Sequence, residues 1–166
     1  MASTINALST WRILKGSSLG RWLFARVICL QAPYFATIRP RIDRLEPGLC
    51  EARLRKRRAV LNHVGSVHAI ALCNLAELAA GLATDVSIPL THRWIPKGMT
   101  VEYLKKATTS VRAIGSYPAV DVGIEPRDVI VPVEVSQEGG EVVFRARVTM
   151  WVCPRPERRE VSRPGD

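Results

Sequence analysis

The residues with the clearest chemical potential lie in the stretch NHVGSVHAIALCNLAELAAG, residues 62–81. After its polar start this stretch is apolar for about four helical turns, interrupted by Asn74 and Glu77. Burying an unpaired carboxylate is costly, so Glu77 needs either a partner or a task. A carboxylate in an apolar groove is desolvated and becomes a stronger base, which suits a general base acting on water or a nucleophile. The alternative is a structural carboxylate that Asn74, a backbone N–H or a lysine satisfies.

The elements around Glu77 follow from the hydrophobic pattern. The apolar run predicts a helix over residues 66–83 that is apolar on nearly every side. Such a helix lies either in a membrane or at the centre of a protein core, and its two polar residues favour the core. Six other segments alternate apolar and polar residues, as strands with one buried face do. These predicted strands are YFATIRPRIDRL, LCEARLRKR, WIPKGMTVEYLKKAT, TSVRAIGSYPAV, DVIVPVEVSQ and EVVFRARVTMWVC.

The order of these elements predicts an α+β fold, in which a strongly curved antiparallel sheet wraps around one long buried central helix. The sequences EPG at 46–48 and EGG at 138–140 indicate hairpin turns. Pro40 indicates an edge strand or a bulge, and Pro96 with Gly98 a bend. Unpaired sheet edges favour association across a two-fold axis, so we expect a homo-oligomer. The predicted division is an N-terminal amphipathic helical extension over 1–33, a main domain over 34–154 and a disordered charged tail over 155–166.

Composition limits the class of protein. The 166 residues, 47% hydrophobic and 23% charged, suit one globular domain with a sizeable core. The four cysteines are scattered without metal-ligand spacing, which predicts free, mostly buried thiols, a reducing compartment and no metal site. The sequence contains neither a secretory signal nor a convincing membrane span. We therefore expect a cytoplasmic protein without stable membrane insertion.

The net charge of +9 indicates an anionic partner, which could be nucleic acid, an acidic membrane or a phosphorylated ligand. The densest basic cluster is RLRKRR, Arg53–Arg58, and its simplest interpretation is a solvated strand edge and turn. No base-stacking aromatic motif accompanies the charge, so nucleic acid is not expected as a partner.

The layout and one motif resemble the hotdog-fold superfamily, and within it the PaaI-like acyl-CoA thioesterases. In that group the pattern runs from Asn through Gly to His-Gly-Gly, and then to Leu-x-Asp within the helix. This sequence has Asn62, Gly65 and His68 at that spacing, and Glu77 nine residues after His68. The segments APYFATIRPRI, NHVGSVHAIALCNLAE and RWIPKGMTVEYLKKA look most like a branch of hotdog proteins named only as a domain of unknown function.

The resemblance implies an acyl-CoA thioesterase that hydrolyses an acyl-CoA to the free acid and CoA, with no cofactor because CoA is part of the substrate. The start of the helix would stabilise the oxyanion through the N–H of Ala69, which replaces the family's first glycine, while Glu77 replaces its Asp. Asn62 would orient water or hold the thioester oxygen, and His68 would brace the loop or touch the pantetheine arm. The candidate catalytic residues are Glu77, Asn62, Ala69 and His68.

The same resemblance suggests where the substrate binds. CoA carries a diphosphate and a 3′-phosphate, which arginine or lysine side chains at strand ends would hold. The candidate substrate-binding residues are Gly65, Asn74, Arg93, Lys97, Lys105 and Lys106. A homodimer is implied, or a dimer of dimers.

Two other functions stay open at this stage. Hotdog dehydratases acting on β-hydroxyacyl thioesters place a loop histidine fourteen residues before the helix glutamate, and His63 and Glu77 have that spacing. The intervening sequence lacks the proline-rich loop of those enzymes. The other alternative is a non-catalytic acyl-CoA-binding protein, in which the change from glycine to Ala69 ended catalysis.

Overall fold

The computed structural model describes residues 6–120 and 122–156 of the chain. Two helices come first, followed by two strands, one long helix and four strands, in the order predicted. The helices are α1 Ala7–Leu14, α2 Ser18–Gln31 and α3 Ala69–Asp85. The strands are β1 Arg41–Glu46, β2 Leu49–Leu54, β3 His92–Tyr103, β4 Val111–Ser116, β5 Arg127–Gln137 and β6 Val142–Pro154. Short 3₁₀ turns, Pro33–Thr37 and Arg58–Val60, precede β1 and α3.

All six strands form one antiparallel sheet in the order β1-β2-β4-β5-β6-β3. The side chains of β5 alternate strictly, with Val129, Val131, Val133 and Val135 buried and the residues between them exposed. Every strand contacts α3, so the inner face of the sheet curls around the helix. This is the hotdog arrangement, and the predicted α+β class is confirmed.

The burial of α3 explains its apolar sequence. Twelve of its residues are buried. A helix with apolar residues on one side only would place polar side chains in the core, so this helix needs apolar residues on nearly every side. Small residues on the strands that cross it let the helix approach the sheet closely. A Cβ atom built on Gly115 of β4 would lie only 2.8 Å from the carbonyl carbon and oxygen of Ala79. Backbone therefore packs directly on backbone at this crossing.

Helices α1 and α2 pack against β1 and share its core. The rings of Trp11 in α1 and Phe24 in α2 meet edge to face, 5.1 Å between centroids. The predicted N-terminal helical extension is confirmed and consists of these two helices, while the domain division at residue 33 stays a prediction. The opposite side of α2 carries exposed apolar side chains, namely Leu19, Trp22, Leu23 and Leu30.

The first strand begins later than predicted. Residues 34–38 were expected to be extended, but they belong to the 3₁₀ turn and the step after it, and β1 begins at Arg41. Within the turn the hydroxyl of Thr37 donates to the carbonyl oxygen of Tyr34 at 2.7 Å. Such local bonds between side chain and backbone compete with strand pairing. Pro40 directly precedes β1, which is an edge strand with an irregular register between Ile42 and Arg44.

Prolines and glycines mark irregular points elsewhere in the sheet. The register of β3 shifts between Pro96 and Gly98, as predicted. The hairpin turn between β5 and β6 has positive φ at Gly139 and Gly140, which glycine adopts without strain. Pro132 lies in β5 beyond the end of the β4 ladder, where β5 pairs with β6 alone. Because Pro132 has no neighbouring residue of β4 to bond, its missing N–H breaks no hydrogen bond between these two strands.

Three further predictions concern thiols, membranes and the tail. All four cysteines are free, with Cys29, Cys50 and Cys153 buried and Cys73 half-buried, as expected. Across residues 6–120 and 122–156, none of the helices has the length and apolar character needed to cross a membrane. The predicted disordered tail falls almost entirely on residues 157–166, which lie outside the described residues.

Candidate functional site

The loop before α3 is organised by Asn62. Its Oδ1 accepts hydrogen bonds from the backbone N–H groups of Val64 and Ser66, both at 3.1 Å, and its Nδ2 donates to Ser66 Oγ at 2.8 Å. Gly65 has φ +77°, a left-handed conformation that favours glycine. Asn62 and Gly65 therefore stabilise the conformation of this loop. Because Nδ2 already donates one hydrogen to Ser66, Asn62 can bind water or a thioester oxygen, as predicted, only through the second hydrogen of Nδ2.

At the start of α3, one backbone N–H has no acceptor in the described part of the chain. His68 is the N-cap, and its Nδ1 accepts from the N–H of Ile70 at 3.1 Å. The backbone of His68 is anchored in turn, because its N–H donates to the carbonyl oxygen of Val60 at 2.8 Å. The N–H of Ala69 has no acceptor among the described residues. His68 therefore braces the helix start, as one of its predicted roles requires, and Ala69 presents the unpaired donor expected of an oxyanion site.

Glu77 is half-buried and makes neither a hydrogen bond nor an ion pair with any described residue. Asn74, one of the structural partners considered for it, bonds to Thr37 instead. On the helix, Glu77 lies in line with Ile70 and Cys73, which are also incompletely buried. We call these three residues the open stripe of α3. The carboxylate is therefore positioned at an opening of the core rather than locked inside it.

Tyr103, the last residue of β3, closes one side of the open stripe. Its hydroxyl lies 3.3 Å from Cys73 Sγ, and its ring packs on Phe144 with 5.3 Å between centroids. The hydrogen bond with Cys73, and then burial, raise the pKa of Tyr103 to about 12. Cys73, one of the thiols expected to be mostly buried, is half-buried and part of the stripe. Its spacing of four residues from Glu77 was an available signal for a shared face, whereas nothing in the sequence indicated Tyr103.

Helix α3 and strand β3 run in opposite directions. Tyr103 lies near the start of the helix, whereas Trp94 packs at its end, where the indole Nε1 donates to Asp85 Oδ1 at 3.0 Å. Arg93, the neighbour of Trp94, consequently lies at the far end of the helix from Ala69, whereas Lys97 lies in the middle of the strand. Both were chosen for their proximity to this strand, and its direction separates Arg93 from Ala69 within one chain.

The other predicted phosphate ligands do not converge on the motif either. Lys97 Nζ is 2.7 Å from Asp128 Oδ2, and Lys105 forms an ion pair with Glu141. Lys106 is exposed. Arg93 thus lies near the start of β3, Lys97 in its middle, and Lys105 and Lys106 just beyond its end. Within one chain the four candidate cations form no single cluster, and their role in binding a ligand stays a prediction.

A cavity of about 260 Å³ lies beside the first turns of α3. We call it the helix-start cavity. Its walls include Thr37, Val60, His68, Ile70 and Asn74. Asn74 is buried and its Nδ2 donates to Thr37 Oγ1 at 3.2 Å, while its Oδ1 has no hydrogen-bond partner within the described structure. Asn74, predicted to bind substrate, therefore lines this cavity, and its role in binding stays a prediction.

Comparisons with known proteins agree with this fold. A protein from a structural-genomics programme, APC5556, is 46% identical with a TM-score of 0.78, covering 90% of this chain and 98% of its own. A Pseudomonas aeruginosa protein of unknown function called a probable thioesterase, PA5026, is 24% identical with a TM-score of 0.71, over 80% of this chain and 95% of its own. A mutant of the thioesterase SAV0944 from Staphylococcus aureus is 19% identical with a TM-score of 0.65, over 74% and 99%.

The two more distant likenesses show the fold alone, which is that of hotdog thioesterases. No curated protein matches the sequence significantly. A family model described as Domain of unknown function (DUF4442) matches residues 20–152, which span the second helix, the central helix and all but the end of the sheet. The chain therefore belongs to this family, the uncharacterised branch of hotdog proteins that its motif segments resemble.

Proposed function

We propose that this protein is an acyl-CoA thioesterase, with Glu77 as general base or nucleophile and the N–H of Ala69 as oxyanion donor. One observation carries the proposal: the central helix presents a half-buried carboxylate and, at its start, an N–H, and neither has a partner among residues 6–120 and 122–156. The names of the structurally similar proteins PA5026 and SAV0944 support the same reaction class.

The chemistry matches the two groups. During thioester hydrolysis the carbonyl oxygen gains negative charge, and an N–H at the positive end of a helix dipole stabilises that charge. As a general base, Glu77 takes a proton from the attacking water, and CoA departs as its thiolate. As a nucleophile, Glu77 forms an acyl anhydride while CoA departs, and water then hydrolyses the anhydride to the free acid.

The distance between these groups leads us to include a homodimer in the proposal. Ala69 and Glu77 are eight residues apart, or about 12 Å along a helix, so direct attack by Glu77 on a carbonyl held by Ala69 of the same chain is out of reach. Strand β3 is an edge of the sheet. Two copies paired along β3 about a two-fold axis would place their α3 helices side by side and antiparallel. Ala69 of one copy and Glu77 of the other would then face the same thioester.

The direct test is the substitution Glu77→Gln, which keeps the shape of the side chain and removes the basic oxygen. Loss of general base catalysis lowers turnover by about 100-fold or more. The assay follows CoA release from a panel of acyl-CoAs with a thiol reagent. The control is Glu138→Gln, an exposed glutamate in the β5–β6 turn, which should keep the full rate. Unchanged turnover in the Glu77→Gln protein would defeat the proposed mechanism.

The same protein separates the two alternatives. A dehydratase using His63 and Glu77 would produce enoyl absorbance from a hydroxyacyl thioester. A non-catalytic acyl-CoA-binding protein would show a higher melting temperature with acyl-CoA but no CoA release. His63 is exposed on the loop that Asn62 shapes, and nothing in its surroundings favours the dehydratase. The cytoplasmic location stays a prediction.

A further inference from the structure

Positive charge is concentrated beside the helix-start cavity. Five of the six residues from Arg53 to Arg58 are basic, and the pairing of β1 with β2 brings Arg39 to the same end of the sheet. We call Arg39, Arg57 and Arg58 the basic rim. None of the three forms an ion pair with a residue that the structure describes. Like charges gathered without a carboxylate partner create a positive potential that attracts an anion.

Arg57 connects the basic rim to the cavity. Its Nη2 donates to the carbonyl oxygen of Thr37, a residue of the cavity wall, at 2.6 Å. Its Nε is buried and has no acceptor among the described residues. Burial and the charge of Arg39 lower the pKa of Arg57, so its cationic form is under electrostatic stress. An anion placed against this guanidinium would supply the acceptor and relieve the repulsion.

The wall of the cavity contains a hydrogen-bond acceptor that has no donor among the described residues. Thr37 donates its hydroxyl hydrogen to the carbonyl oxygen of Tyr34 at 2.7 Å, so it can only accept from Asn74 Nδ2. This bond fixes the orientation of the Asn74 amide. Asn74 is only 7% exposed, and its Oδ1 is left without a donor in the described part of the chain. A ligand that carries an N–H or O–H group fits this wall.

We propose that the helix-start cavity and the basic rim form the binding groove for CoA, in which the rim binds the phosphate groups and Asn74 Oδ1 accepts a hydrogen bond from an amide N–H of the pantetheine arm. The inference rests on the proposed function. His68 and Ile70, at the helix start, line the same cavity. A bound acyl-CoA would therefore place its phosphate groups at the basic rim, its pantetheine amide in the cavity and its thioester at the N–H of Ala69. The planar guanidinium group of arginine can donate two hydrogen bonds to one phosphate, whereas Lys97 and Lys105 offer single ammonium groups that are already ion-paired.

The rim is tested first by binding, without any reaction. Adenosine 3′,5′-bisphosphate is titrated calorimetrically into the wild type, Arg57→Gln and Arg147→Gln. Arg147 is exposed on β6 and forms no ion pair with the described residues, so its substitution changes the net charge equally. Arg57→Gln should weaken binding by about tenfold or more, and Arg147→Gln should leave it unchanged. Absent binding to the wild type, or equal weakening by both substitutions, overturns the proposal.

Inorganic phosphate separates a CoA site from a plain phosphate site. The nucleotide should bind more tightly than phosphate alone, because it places two phosphate groups on the rim. If phosphate displaces the bisphosphate with equal affinity, the assignment to CoA is wrong. Should Arg57→Gln fail to fold, Arg39→Gln replaces it, since the exposed side chain of Arg39 makes no hydrogen bond with the described residues.

Kinetics then separate the rim from the cavity. Acyl-CoA and the matching acyl-pantetheine, which lacks the nucleotide, are compared as substrates. Arg57→Gln should raise KM for acyl-CoA and leave KM for acyl-pantetheine unchanged, whereas Asn74→Ala should raise both KM values alike. Equal effects of Arg57→Gln on the two substrates overturn the phosphate assignment. If the wild type hydrolyses neither substrate but binds the bisphosphate through Arg57, the proposed function fails and the anion site stands.

Discussion

His68 illustrates how a residue singled out for chemistry can serve structure. Its imidazole caps α3, so His68→Ala should lower the free energy of unfolding by about 1 kcal/mol. Asparagine is a good N-cap, and His68→Asn should restore most of that loss. Urea denaturation measures the stability of both variants, and the thioester assay follows beside it. If His68→Asn is stable but inactive, the imidazole takes part in the reaction and its role is more than capping.

Tyr103 gives a prediction about pH. Its pKa is raised to about 12, first by the hydrogen bond with Cys73, so the neutral phenol is favoured in the folded protein. The stabilisation is fully present below the ordinary tyrosine pKa of about 10 and is lost as the pH rises through about 12. Cys73→Ala removes the hydrogen bond and should shift the titration of Tyr103 downward. Ultraviolet titration of phenolate formation measures the shift, with Tyr103→Phe identifying the signal, and an unmoved titration contradicts the assignment.

Among single residues, the apolar helix pattern singled out Glu77 and Asn74, and the resemblance to the family motif added His68 and Ala69 as candidates. Asn62 uses most of its hydrogen-bonding groups on neighbours in the loop, whereas bracing the helix start was one of the roles predicted for His68. Arg57 and Thr37 were not identified, since they meet only after β1 and β2 have paired. The basic run at 53–58 was the available signal for Arg57, but a run of charge does not show which member is half-buried.

At the scale of elements, the crossing of α3 over β4 limits the size of one side chain. Gly115→Ala would place a methyl group against the backbone of Ala79. Overpacking of this kind costs about 1–3 kcal/mol, and urea denaturation should show that loss. Gly16→Ala is the control, because nothing lies within 4 Å of the added Cβ. A Gly115→Ala protein as stable as the control would mean that the helix can move away from the sheet.

The helices and strands were largely predictable, because the alternation of apolar and polar residues and the helical period can be read from the sequence without knowledge of the tertiary structure. The helix, the two hairpins and the irregular point in β3 were all found from local pattern. The strand expected from Tyr34 failed because Thr37 makes a local bond and then contacts Asn74 and Arg57, which are distant in sequence. The direction of β3 relative to α3, which places Arg93 far from Ala69 within one chain, likewise follows from chain packing and not from composition.

At the scale of the whole molecule, the proposed homodimer makes a test by mixing possible. Ala69→Pro removes the donor N–H, yet proline suits the first position of a helix, and His68 has ψ 139°, a conformation compatible with a following proline. This variant and Glu77→Gln should each be inactive. When they are mixed and allowed to exchange subunits, roughly a quarter of wild-type activity should return, because half of the dimers then contain one intact shared site.

Two results would contradict this arrangement. If each site lay within one chain, every site in the mixture would carry a defect and no activity would return. If sedimentation found only single chains of 18.4 kDa at concentrations where the wild type is active, the dimer would not be required at all.

The open stripe has a consequence for how this protein can change. Most of α3 is fixed by its surroundings, so substitutions there must preserve the packing of the sheet. Ile70 is the exposed member of the stripe, and a new side chain there would alter what the helix presents without disturbing how it is held. The substrate preference of the proposed enzyme can therefore be varied at this position without rebuilding the interior.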